Sequence, residues 1–246
     1  MEVSNKIQEA YTNQYDKSII EWRMTGAKFK AKNIIALSKH ITFDSVLEVG
    51  CGEGAILYWL SKWNFSKNLN GLEISQSGVE IIKSKKIEHL KDILLFDGYK
   101  IPYPDNHFDL VICSHVMEHV EHERTLLREI QRVSKHQIFE VPIDFSFSVD
   151  KKFEHFMSYG HINIYTPALF RFLLKSENYN TLNDICYFYD DEVLKLLYTN
   201  NAAAYYKQKI KSFILKSVPF LRRIKPGSYA VLTTKTDKPL SIFEGH

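Results

Sequence analysis

Four stretches of the chain hold residues whose types and spacing could do chemistry. The first is Val46-Leu47-Glu48-Val49-Gly50-Cys51-Gly52-Glu53-Gly54, an apolar run that ends in a glycine-rich turn. Glycine lets a backbone take positive φ and pass close to a ligand, and a helix starting just beyond favours an anionic group such as a carboxylate. The spacing is G-x-G-x-G, not the G-x-G-x-x-G of dinucleotide enzymes. A nucleotide-type ligand and a purely structural turn both fit it. The second stretch is Gly71-Leu72-Glu73-Ile74-Ser75, about 20 residues further on, where the Glu73 carboxylate could accept both hydroxyls of a ribose. The same acid would equally suit a helix start, where the dipole favours negative charge. The third is Leu95-Phe96-Asp97-Gly98 with the passage from Ile101 to Val111. The fourth is a set of histidines: His115, His119 and His122 in one segment, His155 and His161 in another.

His115-Val116-Met117-Glu118-His119 is literally H-x-x-E-H. In inverted zincins that motif lies within a helix and supplies two zinc ligands and a base. Here it follows the apolar run 108–113 directly, at a strand's carboxyl end, and any third ligand would have to be guessed. No metal is therefore expected. The three cysteines, Cys51, Cys113 and Cys186, are too widely and irregularly spaced for a disulfide framework or a zinc site.

The elements that must position these residues alternate between short apolar runs and longer helical ones. Strands are expected at 45–49, 69–72, 92–95, 108–113 and 137–141, with helices at 55–63, 76–85 and 123–133 between them. Leu126, Leu127, Ile130 and Val133 lie on one face of the last helix. Such alternation implies a parallel sheet covered by helices. Helical spacing at 7–22 and 27–40 predicts one or two helices ahead of the first strand, able to cap the cofactor end of the sheet. Thr166-Pro167 predicts a helix start with Thr as N-cap, ending near Ser176. Two further strands are expected at 181–189 and 228–234, separated by a helical insertion that is long for a hairpin connection. The expected fold class is α/β: a Rossmann-like, doubly wound, seven-stranded sheet, mostly parallel with an antiparallel last strand. The whole of 1–246 is expected to be one domain, with a helical cap at 1–42, a core at 45–189 and 228–235, and the insertion at 190–227.

In this order the motifs resemble the class I S-adenosylmethionine-dependent methyltransferases of the small-molecule and glycan type, the methyltransferase-11-like group. The resemblance is close over roughly 46–176 and loose in the flanks. It implies S-adenosylmethionine as cofactor and S-adenosylhomocysteine as product. The glycine loop would hold the methionine part, the acid matching Asp97 would accept a hydrogen bond from the adenine amino group, Gly98 would offer a backbone contact, and Ile74 would pack on the ring. Ser114 falls where this family completes the methionine pocket. The cofactor site expected from the resemblance is thus Glu48, Gly50, Cys51, Gly52, Gly54, Glu73, Ile74, Asp97, Gly98 and Ser114. Methyl transfer is an in-line displacement, so a hydroxyl acceptor needs positioning and a base. Histidine suits that role near neutral pH, which makes His161, His119 and His155 the candidates. Any one of them could instead be a hydrogen-bonded structural residue. The run from Gly160 to Thr166 is similar to the matching segment of enzymes that modify small molecules and glycans, which favours an oxygen acceptor on a sugar, glycan precursor or related metabolite.

Other function classes are disfavoured. The glycine spacing argues against a nicotinamide oxidoreductase. A net charge of +3 and the absence of an Asn/Asp-Pro-Pro-Tyr-like motif after the fourth strand argue against nucleic acid. A catalytically inactive module acting through partner contacts would not need the intact set of Glu48, Gly50, Gly52, Glu73 and Asp97. The first thirty residues carry no signal-peptide core and no stretch approaches the roughly 18 apolar residues of a membrane span, so a cytoplasmic protein is expected. The insertion is basic: 205–225 carries seven Lys and Arg and no acid. Ile210, Phe213, Ile214 and Leu221 recur there at helical spacing, and Pro219 breaks or kinks the helix. An amphipathic lid with its apolar stripe packed on the domain is one expectation; weak contact with an anionic membrane surface at its inner face, or with a lipid-linked acceptor, is the other.

Overall fold

A computed structural model describes residues 20–146, 149–218 and 226–236. Seven strands form one sheet: β1 (Val46–Val49), β2 (Leu69–Glu73), β3 (Leu90–Leu95), β4 (Phe108–Ser114), β5 (Ser134–Pro142), β6 (Tyr179–Tyr187) and β7 (Ser228–Lys235), in the order β3-β2-β1-β4-β5-β7-β6. Only β7 is antiparallel to its neighbours; β1 pairs in parallel with β2 on one side and β4 on the other. The chain therefore winds outward in both directions from β1, and a crevice opens between the carboxyl ends of β1 and β4. Each residue of β1 and β2 is buried, as expected for central parallel strands covered on both faces.

Helices α1 (Ile20–Leu37), α2 (Ala55–Lys62) and α3 (Gln76–Ser84) cover one face through Ala27, Ala31, Ile34, Leu57, Leu60, Val79 and Ile82. Helices α4 (Glu123–Val133) and α6 (Pro167–Ser176) cover the other through Leu126, Leu127, Ile130, Phe170 and Leu174, with α5 (Phe153–Ser158) at the surface between them. The N-cap predicted at Thr166 forms: its hydroxyl accepts from the Leu169 N–H at 3.1 Å. Helices α7 (Asp191–Leu197) and α8 (Ala202–Ser217) make up the insertion.

Of the one or two helices expected ahead of β1, the described residues hold one, α1, which runs unbroken through Gly26, whose surroundings leave open space; residues 7–19 lie outside the described residues. Three expectations change. β3 and β5 begin two and three residues early, because Leu90 pairs with Leu69 of β2 and Ser134 with Phe108 of β4 at the sheet's end. β6 is displaced by two residues: its pairing with β7 ends at Tyr187–Ser228, where the Gly227 N–H bonds the Tyr187 carbonyl, and Phe188 and Tyr189 leave the sheet. Finally, the apolar stripe of α8 does not pack inward. Ser212 is the buried residue of that helix, while Ile210 and Phe213 are 61% and 71% exposed and Ile214 is also exposed. Leu221 and Pro219 lie outside the described residues.

Candidate active site

At the carboxyl ends of β1, β2 and β4 lies a cavity of about 360 Å³, within the range of small-ligand sites. Its floor is the turn after β1. Gly50 and Gly52 adopt φ of 69° and 56°, and a Cβ on Gly50 would stand 2.4 Å from Val116 Cγ2, so a side chain there requires the opposite wall to move. Glu73, at the end of β2, is tied to this turn: one oxygen accepts the Gly52 N–H at 2.8 Å and the other the Ser75 N–H at 3.0 Å. Both oxygens keep a lone pair for a further donor. Burial raises the Glu73 pKa, and the N–H groups of Gly52 and Ser75 oppose it.

Glu48 and Ser114 line the same cavity and are buried, and Glu48 Oε2 and Ser114 Oγ make no hydrogen bond among the described residues. Such orphaned groups cost stability unless a ligand satisfies them. Burial pushes the Glu48 carboxyl up to about 8, against the attraction of Lys30, so it is mostly protonated at neutral pH. Cys51, Gly52, Ile74 and Gly98 also line the cavity. Gly54 instead starts α2 in a left-handed conformation (φ 74°), where it sets the helix's direction. Asp97 does not line the cavity, although Phe96 and Gly98 on either side of it do; its Oδ1 accepts the N–H groups of Tyr99 at 2.8 Å and Lys100 at 2.7 Å, which fixes the loop.

The opposite rim includes α1, one of the helices expected ahead of β1, but the residues it contributes were not singled out in the sequence. Trp22, Arg23, Ala27 and Lys30 of α1, with Tyr189 just beyond β6 and Val193 of α7, close the cavity. Arg23, Ala27 and Lys30 follow one another at i, i+4 and i+7, a helical stripe with two basic residues beside a small one, and that stripe was the available signal. The Trp59 indole N–H, donating to the Met24 carbonyl at 2.9 Å, and the Lys28–Glu192 pair at 3.0 Å hold α1 against α2 and α7.

Beyond β4 the histidines separate. His115 takes φ 55° and spans two buried acids, with Nε2 3.1 Å from Glu140 Oε1 and Nδ1 3.4 Å from Glu118 Oε1. Burial and Lys30 lower its pKa, but Glu118 and Glu140 outweigh them and the net shift is upward. His119 lines the cavity, and its Nδ1 stands 2.9 Å from the Gly160 carbonyl, which sets Nδ1 as the donor and leaves the lone pair on Nε2. Burial lowers its pKa, with Glu118 and the Gly160 carbonyl opposing, so it is neutral at pH 7. His161 stands behind it, ring to ring at 4.8 Å, with Nδ1 2.6 Å from Asp144 Oδ2. His155 is exposed on α5, outside the cavity wall.

The loop carrying His161 is fastened to the segment carrying His119. The N–H groups of Ile162 and Asn163 donate to the Glu118 carbonyl, the Asn163 amide donates to the carbonyls of Met117 and Val120, and the Tyr165 hydroxyl donates to Glu123. One wall thus combines a glycine turn, a strand-end acid and two orphaned polar groups, and a neutral imidazole faces the same space.

Residues 47–137 match the family model described as a methyltransferase domain. This part of the chain is similar to methyltransferase domains. S-adenosylmethionine is the cofactor that this domain implies, and the residues present fit it: Glu48 and Ser114 offer unsatisfied polar atoms where the glycine loop runs. Ajmaline N-methyltransferase from Rauvolfia serpentina is 31% identical over 94 residues, covering 37% of this chain and 32% of that protein. The chain matches about a third of the length of the first two curated relatives it resembles. A Haloferax volcanii protein solved in complex with the Trm112 methyltransferase activator shares the fold, with a TM-score of 0.68, 15% identity and coverage of 95% and 99% of the two chains. A SAM dependent methyltransferase from Archaeoglobus fulgidus aligns with a TM-score of 0.60 at 20% identity, over 88% of this chain and 97% of that one. The methyltransferase domain model begins one residue after the start of β1 and ends within β5, so it contains the glycine turn, Glu73, Asp97 and His119 but not His161.

Proposed function

We propose that this chain transfers the methyl group of S-adenosylmethionine to a hydroxyl oxygen of a small acceptor, such as a sugar, glycan precursor or related metabolite. When bound, that cofactor supplies a carbon already activated by its sulfonium for in-line displacement. The observation that carries the reading is the neutral His119 imidazole on the wall of the cavity that Glu73 and the glycine turn build. Gly50 and Gly52 let the backbone approach the methionine part, Glu73 accepts from the ribose, Ile74 packs on the adenine, and Lys30 and Arg23 offer positive charge to a carboxylate. His119 Nε2 takes the proton that an acceptor hydroxyl must lose, with the Gly160 carbonyl steadying the ring. An amine acceptor in its neutral form needs no such base. Incubation of the purified chain with methyl-labelled cofactor and parallel panels of hydroxyl and amine acceptors tests the assignment. Label entering hydroxyl acceptors, and falling with His119→Ala, is expected; label entering amines alone would reject the oxygen reading.

The chain is also proposed to act at the cytoplasmic face of a membrane, on an anionic or lipid-linked acceptor. No described helix is long and apolar enough to cross a membrane. The support is α8, where exposed Tyr206, Ile210, Phe213 and Ile214 stand among Lys207 and Lys211, the pairing of apolar and basic residues that interfacial helices use.

A further inference from the structure

Glu118 is fully buried, yet neither of its carboxylate oxygens accepts a hydrogen bond among the described residues. His115 approaches one of them at 3.4 Å, outside hydrogen-bonding geometry, and its other nitrogen is engaged by Glu140. On the far side of Glu118 lie His119 and His161. Donor atoms of Glu118, His119 and His161 all fall within 4.8 Å of one another. Each of the two histidines has Nδ1 against an acceptor, the Gly160 carbonyl in one case and the Asp144 carboxylate in the other. That arrangement makes Nδ1 the protonated nitrogen and presents the Nε2 lone pairs. Metal-bound histidines are held this way, with the second ring nitrogen donating to a carboxylate or backbone carbonyl.

We propose that Glu118, His119 and His161 bind a first-row divalent cation, with zinc as the reference case, at the acceptor edge of the cavity. Two imidazoles and one carboxylate suit zinc, iron, cobalt or nickel better than magnesium or calcium, which prefer all-oxygen sites. Ligands about 2.1 Å from zinc stand about 3.4 Å apart, so the group closes by about an ångström on binding. The side chains that close it are anchored: the hydrogen bonds from Ile162 and Asn163 to the segment around Glu118 keep the two parts of the site together. The H-x-x-E-H motif contributes only its last two residues, because His115 faces Glu140, and the third ligand comes from a loop 42 positions beyond His119.

Three protein ligands leave open positions for oxygen donors, and a cation lowers the pKa of a hydroxyl bound to it. Where the ion is bound, His119 would act as its ligand, and the proton that the ion makes acidic on an acceptor hydroxyl would pass to solvent water instead of to His119. The inference rests on the proposed oxygen-methyl transfer only for this consequence; the site itself is tested without cofactor or acceptor. The chelator-treated chain is titrated with zinc by calorimetry and with cobalt by visible absorption, alongside a separate titration with S-adenosylhomocysteine. One equivalent of zinc is expected, with cobalt bands in the visible. His161→Ala, a partly exposed position, is expected to weaken zinc binding at least tenfold, and Asp144→Asn by 10- to 100-fold, both with product affinity unchanged. Absence of zinc binding, or affinity unaltered by His161→Ala, overturns the site whether or not the product binds. Loss of product binding alone overturns only the cofactor reading.

Discussion

Replacing Glu48 by glutamine keeps the size and shape of the side chain and removes its proton equilibrium. Glu48 lies in β1 with no exposed surface to speak of, and burial raises its pKa from 4.5 to about 8. Between those values the folded chain keeps a proton that the unfolded chain has released, so stability falls as pH rises through the window. The slope is about 1.4 kcal/mol per pH unit, and the whole window amounts to roughly 5 kcal/mol. Below pH 4.5 both states hold the proton and above pH 8 neither does, so the effect is flat outside the window. Urea unfolding of the wild type and Glu48→Gln at each pH from 5 to 9 isolates this group, because the acids around His115 are common to both proteins. The stability of the wild type relative to the variant is expected to drop by about 4 kcal/mol from pH 5 to pH 8 and then level off. A difference that stays constant with pH, or that rises, would show that Glu48 is already ionised in the folded state and would refute the account of this wall of the cavity.

Glu73→Ala removes the acceptor for the Gly52 and Ser75 N–H groups, and the loss of charged hydrogen bonds predicts about 1.5–3 kcal/mol lower affinity for S-adenosylhomocysteine; calorimetry reads it directly. With an acceptor in hand, His119→Ala is expected to lower turnover about 10²–10⁴-fold while leaving cofactor affinity nearly intact, and His155→Ala to leave turnover unchanged; single-turnover assays separate the two. Because burial lowers the pKa of His119, turnover limited by its protonation should lose activity only below pH 6.5, and a pH–rate profile that climbs through 7 instead would contradict this. Co-sedimentation with anionic vesicles at low salt should fall when Lys207 and Lys211 become glutamine, by about 1 kcal/mol per residue, and when Phe213 becomes alanine; binding indifferent to both would reject the surface role of α8.

The sheet was legible because its strands carry their own signal. Val46-Leu47-Glu48-Val49 and Phe108-Asp109-Leu110-Val111-Ile112-Cys113 are buried on both faces and read as near-continuous apolar runs, and the turns between them are marked by glycine or a capping residue. Glu73 was legible for the same reason, since its position follows from a strand end. The rim was legible only as a helix ahead of β1. Arg23 and Lys30 share a helical stripe, but that this stripe faces the cavity follows from how α1 packs over α2, a tertiary fact. The outward stripe of α8 failed differently: its apolar spacing is real, but the face that packs on α7 is held by polar contacts, Tyr205 to Asp191 and Lys209 to Asp191, so spacing alone pointed the stripe the wrong way. His161 joins His119 through backbone bonds between two distant segments, which no motif records.

Calorimetric titration of the purified chain with S-adenosylhomocysteine, repeated with NADH and with Glu73→Ala, tests the central claim most directly. Binding at one site in the micromolar range, weakened by Glu73→Ala, with NADH weaker than the product, is the expected result. No heat from S-adenosylhomocysteine, or tighter binding of NADH, would contradict the assignment of the cavity between β1 and β4 to this cofactor.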